Sequence, residues 1–354
     1  MYNGEKYLGR YLESLKNQTC QNFEVVFWDD CSTDNSYRIV RDFIDENSGK
    51  EGRYRLYKAE KNMGGFHFCL PKALRYLNGE YLSLLTQDDF IDNDYVEKCY
   101  EKSLEKDYDI ILTNTALFSG GKATQIGREY LQDFQNGKLT NRDLFDLSLT
   151  WKVSTTGGRK ISLLKEAGLF DDTYYNIDEY ASRKSLLMTE KIAYVDTTYY
   201  YRVDNPNALT RKVKPFTYDI LTTDIMLTDD MVAEKFDTPA VVRQIEKLTS
   251  ENNYYVFKFF ENLDNYTADQ IVKIREKLDN AYAKILSYRS TYGLDLAKLY
   301  NAEQVEKGVC YKTKGLPHVF ELLTCRRREK KIRAVKLFGF QIAKWTVKKK
   351  GKTS

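Results

Sequence analysis

The chain has 354 residues, a formal net charge of +4, 42% hydrophobic residues and 30% charged residues, a composition that suits a soluble globular protein with a substantial core. No apolar run reaches the about 18–20 residues of a membrane-spanning helix. The two histidines and six scattered cysteines form no Cys/His cluster, so neither a zinc site nor a disulfide framework is expected; with no leader pattern at the N-terminus, reduced thiols and a cytoplasmic chain are.

Leu8, Tyr11, Leu12 and Leu15 lie at helical spacing, so the chain opens on a helix. A parallel βαβ sheet needs a strand before its first helix, and nothing before Met1-Tyr2-Asn3-Gly4 supplies one. The expectation is a sheet lacking its first strand, either because the natural start lies upstream or because the natural protein lacks that strand. Residues 23–28 (FEVVFW) read as a strand, with Asp29 and Asp30 just past its carboxyl end. Ser32, Thr33, Asp34 and Asn35 are N-cap types for the helix carrying Ile39, Val40, Phe43 and Ile44. Asn62-Met63-Gly64-Gly65 precedes a second helical pattern, through Phe68, Leu70, Ala73, Leu74 and Leu77. The glycines permit either a close ligand approach or a plain turn. Residues 81–85 read as a buried strand, followed by Thr86-Gln87-Asp88-Asp89.

In open α/β sheets, ligands bind outside the carboxyl ends of strands. Two neighbouring strands that each end in paired carboxylates therefore imply a shared crevice. Hard oxygen donors suit Mg²⁺ or Mn²⁺ carrying a phosphate, although an Asp-Asp pair also makes an ordinary polar turn. Further on, Trp151 is either core packing or a platform for a sugar ring. Asp178 and Glu179 open a helix, where two acids complement the dipole or serve as a base. Arg202 suits either a phosphate or an ion pair.

Taken in order, several segments resemble family 2 glycosyltransferases of the GT-A fold. They are Tyr2-Asn3-Gly4-Glu5-Lys6-Tyr7-Leu8, Ser14-Leu15, Gln18-Thr19, Asn22-Phe23-Glu24-Val25-Val26, Asp29-Asp30-Cys31-Ser32-Thr33-Asp34, Asn62-Met63-Gly64-Gly65 and Leu85-Thr86-Gln87-Asp88-Asp89. The resemblance spans about residues 1–212 and ends at Arg202-Val203-Asp204-Asn205-Pro206-Asn207-Ala208-Leu209-Thr210. It implies a Rossmann-like mixed sheet flanked by helices, and inverting transfer of a sugar from a nucleotide-sugar donor, with a leaning to UDP. The acceptor would be a glycan or lipid-linked glycan of bacterial surface polysaccharide.

Site roles follow from the same resemblance. Asp30, with Asp29 beside it, binds the nucleotide base; Asp88 ligates Mg²⁺ or Mn²⁺; Asp89 orients the metal loop or the donor sugar. Asn62, Gly64, Thr86 and Arg202 complete the donor side, and Trp151, Gly157 and Gly158 fall on the acceptor side. Two departures stand out. Thr86 occupies the first position of the usual Asp-x-Asp, and the usual Glu-Asp pair reads Asp178-Glu179, so Glu179 has the base's position and Asp178 its residue type. These departures also fit a catalytically silent scaffold with the same fold. A nucleotidyltransferase is disfavoured by the lack of a basic glycine-rich loop.

Residues 213–310 carry helical spacing through Val242, Ile245 and Leu248, then Ile271, Ile274, Leu278, Ala281 and Ile285, with a capping-box pattern at Thr267-Ala268-Asp269-Gln270. This helical extension packs on the first domain or forms an oligomer contact. Residues 311–354 form a third, basic segment, with twelve Lys or Arg against one acid from 326 to 352. Ile332, Leu337, Phe338, Phe340 and Trp345 are threaded through it, which suits an anionic membrane surface at the inner face of the plasma membrane or a solvated tail, and nucleic acid least.

Overall fold

The first helix, α1 (Glu5–Lys16), buries Leu8, Tyr11, Leu12 and Leu15 on one face, the face that its spacing predicts. The computed structural model describes residues 1–47, 52–170 and 174–303, and the backbone of 335–337 and 340–343. The chain divides into Met1–Lys212 and Val213–Ser354.

In the first unit the strands fall into two ladders. β1 (Val25–Asp29) pairs in parallel with β2 (Tyr54–Lys58). The larger set runs β3 (Tyr81–Leu82), β7 (Gly157–Lys160), β5 (Ile110–Ser119), β8 (Ile192–Arg202) and β4 (Phe90–Ile91), with β6 (Lys122–Ile126) paired onto β5. β5 and β8 are parallel and the other pairings antiparallel, so the sheet is mixed. Seven successive residues of β5, 110–116, are buried, the continuous pattern of a strand covered on both faces.

This arrangement corrects two expectations. The strand expected at 81–85 is paired only at Tyr81 and Leu82, because Ser83 turns its hydroxyl onto the Gly157 carbonyl (2.9 Å). The strands ending in carboxylates are consequently not hydrogen-bonded neighbours, since β1 and β3 belong to separate ladders. On the edge of β1 away from β2, Met1 makes a single parallel bridge. Its amino group donates to the Trp28 carbonyl, and Asp30 N–H donates to the Met1 carbonyl (2.8 Å).

Helix capping also differs from the sequence reading. α2 (Ser36–Glu46) has Asn35 at its N-cap, with no side-chain cap bond. The loop before it supplies Asp34 Oδ1, which accepts from Ser36 N–H (2.9 Å) at the start of α2, and it also caps α1. Ser32 Oγ, Ser36 Oγ and Asp34 Oδ2 accept from the N–H groups of Asn3 (3.0 Å), Gly4 (2.8 Å) and Glu5 (3.1 Å). Glu5 Oε2 answers by accepting from Asn35 N–H (3.0 Å). Each helix start is thus satisfied by the other, and such caps are typically worth about 1 kcal/mol each. The two N-terminal helices are thereby stitched together at the ends that face the candidate site.

The remaining helices of this unit are α3 (Phe66–Leu74), α4 (Tyr95–Glu105), α5 (Arg128–Gln135), α6 (Asn141–Leu149), α7 (Ile161–Glu166) and α8 (Ile177–Met188). Leu8, Leu12 and Leu15 pack with Phe27, Val40, Ile91, Tyr95 and Tyr199 in one apolar cluster. Leu70, Leu74, Leu164, Leu169 and Ala181 form another, which seats α8.

The second unit packs α9 (Asp219–Ala233), α10 (Thr238–Glu261) and α11 (Ala268–Thr291) against one another. Thr267 and Gln270 form a reciprocal capping box at the start of α11. Arg289, fully buried, donates to Thr249 Oγ1 (3.0 Å) and pairs with Glu246 (3.2 Å). Of the basic segment, only the backbone of the antiparallel strands β9 (Val335–Leu337) and β10 (Phe340–Ala343) is described; its expected membrane face lies outside the described residues. No helix among the described residues is long and apolar enough to cross a membrane.

Candidate active site

The loop between β3 and β4 is braced from several directions. Asp89 is 2% exposed, and its oxygens accept from Thr86 Oγ1 (2.5 Å), Tyr199 Oη (2.6 Å) and Arg202 N–H (2.8 Å). Burial pushes its carboxyl up to about 6, against the pull of these donors. These bonds tie the loop to β8 through Asp89.

Asp88 is half-buried and presents its carboxylate beside the loop. Thr86 Oγ1 lies 3.1 Å from its Oδ1, and Asn205 Nδ2 donates to its Oδ2 (2.7 Å). Thr86 thus sits between the two carboxylates in place of supplying a third, its single hydroxyl proton directed chiefly to the nearer Asp89. Arg202 directs Nε to the Asp88 carbonyl (3.0 Å) and Nη1 to Asp204 (3.2 Å), and lies over the rings of Tyr7 and Phe118. It braces the loop through the backbone and leaves the Asp88 charge uncompensated. Gln87 clamps Tyr2, accepting from its N–H (2.7 Å) and donating to its carbonyl (3.0 Å). A Cβ on Gly4 would come within 2.5 Å of the Gln87 amide carbon, so a larger residue there would displace the Gln87 clamp.

Through Met1 and Tyr2 this loop is connected to the end of β1. Asp29 is completely buried, with Oδ2 accepting from Ser32 N–H (3.1 Å), so one of its oxygens shapes the loop. Asp30, 5% exposed, accepts from Met63 N–H (2.8 Å) on Oδ1 and receives the thiol of Cys69. That thiol is pushed up to about 12 by burial and by the Asp30 charge, so it remains a donor. Asn62 donates to the Asp30 carbonyl (3.0 Å) and accepts from Gly64 N–H (2.9 Å); Gly64, at φ 89°, needs its freedom to make this turn.

The acid pair lies in the first turn of α8. Glu179 forms an i,i+4 ion pair with the buried Arg183 (2.7 Å). Half-buried Asp178 is pushed up to about 7, by burial first and by the charge of Glu179 second. The guanidinium of Arg183 lies 6.0 Å from the centre of the Trp151 ring, and Trp151 is tilted against Tyr201 at 5.9 Å. Trp151 is 42% exposed in a left-handed backbone conformation (φ 58°), a strained placement of the kind that accompanies binding sites. Gly157 and Gly158 lie inside β7, not on an open acceptor face. A Cβ on Gly157 would fall 2.1 Å from the Ile111 carbonyl oxygen, so strand pairing alone accounts for that glycine.

Tyr201 links the two acidic clusters. Burial raises its phenol first, and the charges of Asp89, Glu179, Asp88 and Asp178 add to that rise, so both acidic clusters act electrostatically on this one group. Tyr7, Arg183, Tyr199, Tyr201 and Asn205 were not singled out from the sequence for a role in the site. Of these, only Arg183 carries a linear signal, its i,i+4 spacing from Glu179.

Among the described residues, no three His, Cys, Asp or Glu side chains are grouped to hold a metal. Asp89 is buried and already accepts three hydrogen bonds, which leaves Asp88 as the more open carboxylate of this loop. Mg²⁺ and Mn²⁺ commonly take one or two carboxylates, with substrate phosphates and water completing the shell. The donor set fits such an ion arriving with a diphosphate and does not fit a resident ion held by protein alone.

Residues 1–159 match the profile "Glycosyl transferase family 2". The chain is 27% identical over 215 residues to "Glycosyltransferase GlyA" of Streptococcus pneumoniae serotype 4, covering 57% of this chain and 30% of that protein. It is 28% identical over 206 residues to "Poly(ribitol-phosphate) beta-N-acetylglucosaminyltransferase TarS" of Staphylococcus aureus strain MW2, covering 56% of this chain and 34% of that one. The chain thus aligns with about a third of the length of these relatives. Among solved structures, S. aureus TarS 1–349 in complex with UDP-GlcNAc superposes with a TM-score of 0.56 at 18% identity, covering 98% of each chain. The same fragment in complex with UDP gives 0.53 at 17% identity, covering 94% and 96%. At that identity the likeness is one of fold.

Proposed function

We propose, on the match of residues 1–159 to the glycosyl transferase family 2 profile, that the chain moves a sugar, with inversion, from a UDP-linked donor to a hydroxyl of a glycan or lipid-linked glycan of the bacterial surface. One observation supports this reading: the charges of Asp88 and of the Asp178–Glu179 pair all act on the same phenol, Tyr201, which lies tilted against the exposed Trp151. Asp88 holds the cation that accompanies the donor. When bound, that cation neutralises charge on the departing diphosphate. Asp178 takes the proton from the acceptor hydroxyl; the acceptor oxygen bonds to the anomeric carbon while the bond from that carbon to the diphosphate oxygen breaks. Its pKa of about 7 matches that task, because a base works best when poised near the working pH. Glu179, tied to Arg183, sets the field around Asp178, and Trp151 offers its exposed face to the acceptor sugar. The leaning to UDP draws support from the TarS structures with UDP and UDP-GlcNAc.

A thermal-shift screen of nucleotide sugars, with and without Mn²⁺, tests the reading. A UDP-sugar at 100 times its Kd stabilises by about 2.7 kcal/mol. The unfolding midpoint then rises by about 5 °C or more with Mn²⁺ present. No shift with any nucleotide sugar sinks the proposal, and binding without transfer or donor hydrolysis supports the silent-scaffold alternative.

The same reading assigns the basic residues 326–352 to an anionic membrane surface at the cytoplasmic face, where each charge adds about 1 kcal/mol. The full chain is expected to float with phosphatidylglycerol liposomes, and a chain lacking 326–354 to stay in the soluble fraction. Equal flotation excludes this role.

A further inference from the structure

We propose that Asn205 is a positioning residue for the cation-holding carboxylate, with Tyr7 locking it in place. The proposal rests on the assignment of the cation to Asp88. Asn205 is 5% exposed and lies 117 residues from Asp88 in sequence, yet its Nδ2 donates to Asp88 Oδ2 at 2.7 Å. Its Oδ1 accepts from Tyr7 Oη (3.1 Å) and from Asn207 N–H (2.9 Å). Turning the amide over would set its NH₂ against the Asn207 N–H, so its orientation is determined. The amide therefore faces Asp88 only as a donor.

Thr86 Oγ1 lies 3.1 Å from the opposite oxygen of Asp88, but its one proton has a nearer acceptor in Asp89 at 2.5 Å, so Asn205 is the principal donor that holds the Asp88 carboxylate. A carboxylate accepts about four hydrogen bonds, so this leaves lone pairs for a cation. Both neighbouring groups are neutral. A lysine or arginine at either place would orient Asp88 equally well but cancel the charge a cation needs. The nearby cation, Arg202, is spent on the Asp88 carbonyl and on Asp204. Tyr7 belongs to α1, whose preceding loop is clamped by Gln87, so α1 supports this loop at two points.

Partners that orient a ligating carboxylate typically contribute 10–100-fold, on the order of that range, to metal affinity. Titrating Mn²⁺ into the full chain with saturating UDP, and following the EPR signal of free Mn²⁺, reads that contribution directly. Asn205→Leu is expected to weaken Mn²⁺ binding by about 10-fold or more. Tyr7→Phe, which keeps the Asn207 contact, weakens it by about threefold. UDP binding in EDTA and the unfolding midpoint stay near those of the parent, and high Mn²⁺ restores kcat, which a general loss of structure would not permit. Parent-like Mn²⁺ affinity in Asn205→Leu, with the affinity lost in Asp88→Asn, overturns the role of Asn205 alone. Parent-like affinity in Asp88→Asn overturns the cation assignment and this inference together. If Asn205→Leu does not fold, Tyr7→Phe decides, and an unchanged affinity there overturns the proposal.

Discussion

Asp88→Asn is expected to lower kcat/KM for sugar transfer about 10³-fold or more, a loss of about 4 kcal/mol in transition-state stabilisation. The substitution keeps volume and planarity, and the new amide oxygen can still accept from Asn205. It removes the one charge that the surrounding groups leave uncompensated, since Arg202 reaches the Asp88 carbonyl and not its carboxylate. The brace through Asp89, Tyr199 and the Arg202 backbone stays intact, so the unfolding midpoint should move by no more than about 2 °C. Steady-state kinetics with and without Mn²⁺, beside a melting curve, check both parts. Full activity in a folded Asp88→Asn protein would remove the central element of the mechanism.

Asp178→Asn is the second large effect, a fall in kcat of about 10³-fold as expected for the loss of a general base. The parent enzyme should show kcat/KM rising with pH through about 7, because the Asp178 proton must leave before the group can accept another. That limb disappears in Asp178→Asn. In Glu179→Gln it moves to lower pH, because the like charge that helps hold Asp178 up is gone. Glu179→Gln also leaves the guanidinium of buried Arg183 without its partner, a loss of about 2 kcal/mol or more in stability.

Linkage supplies an independent check. The folded-state pKa of Asp178 lies above the ordinary 3.8, so between these values the folded chain keeps a proton that the unfolded chain has released. Stability from this group is complete below 3.8 and declines as pH rises to about 7. Asp178→Asn is therefore expected to melt higher than the parent at pH 8, by about 2–4 °C. A flat pH profile, or full activity in Asp178→Asn with none in Glu179→Gln, transfers the base to Glu179.

Much of this molecule was legible along the chain wherever the deciding interaction spans a turn or less. The apolar spacing of α1, α10 and α11, the Thr267–Gln270 capping box and the carboxylates past β1 and β3 are of that kind. The i,i+4 pair of Glu179 and Arg183 lay equally open to reading, although only the acid pair was taken from it.

Other features needed the fold. Ser32 and Asp34 are cap types by sequence for α2, yet with Ser36 they also cap α1, which lies across the loop rather than after it. Asp88 and Asp89 are adjacent and chemically identical; one is sealed by Tyr199 and the Arg202 backbone, while the other remains open to a ligand. Gly157 suggested an acceptor loop and proves to be a close approach between strands. Sequence alone determined which residue types stand at the strand ends and helix starts, because local propensity and periodicity act within a few residues. Tertiary structure decided which of those acids are buried scaffold and which can work, because burying a polar group is costly until a partner is found. For Asp88 that partner, Asn205, comes from 117 residues away.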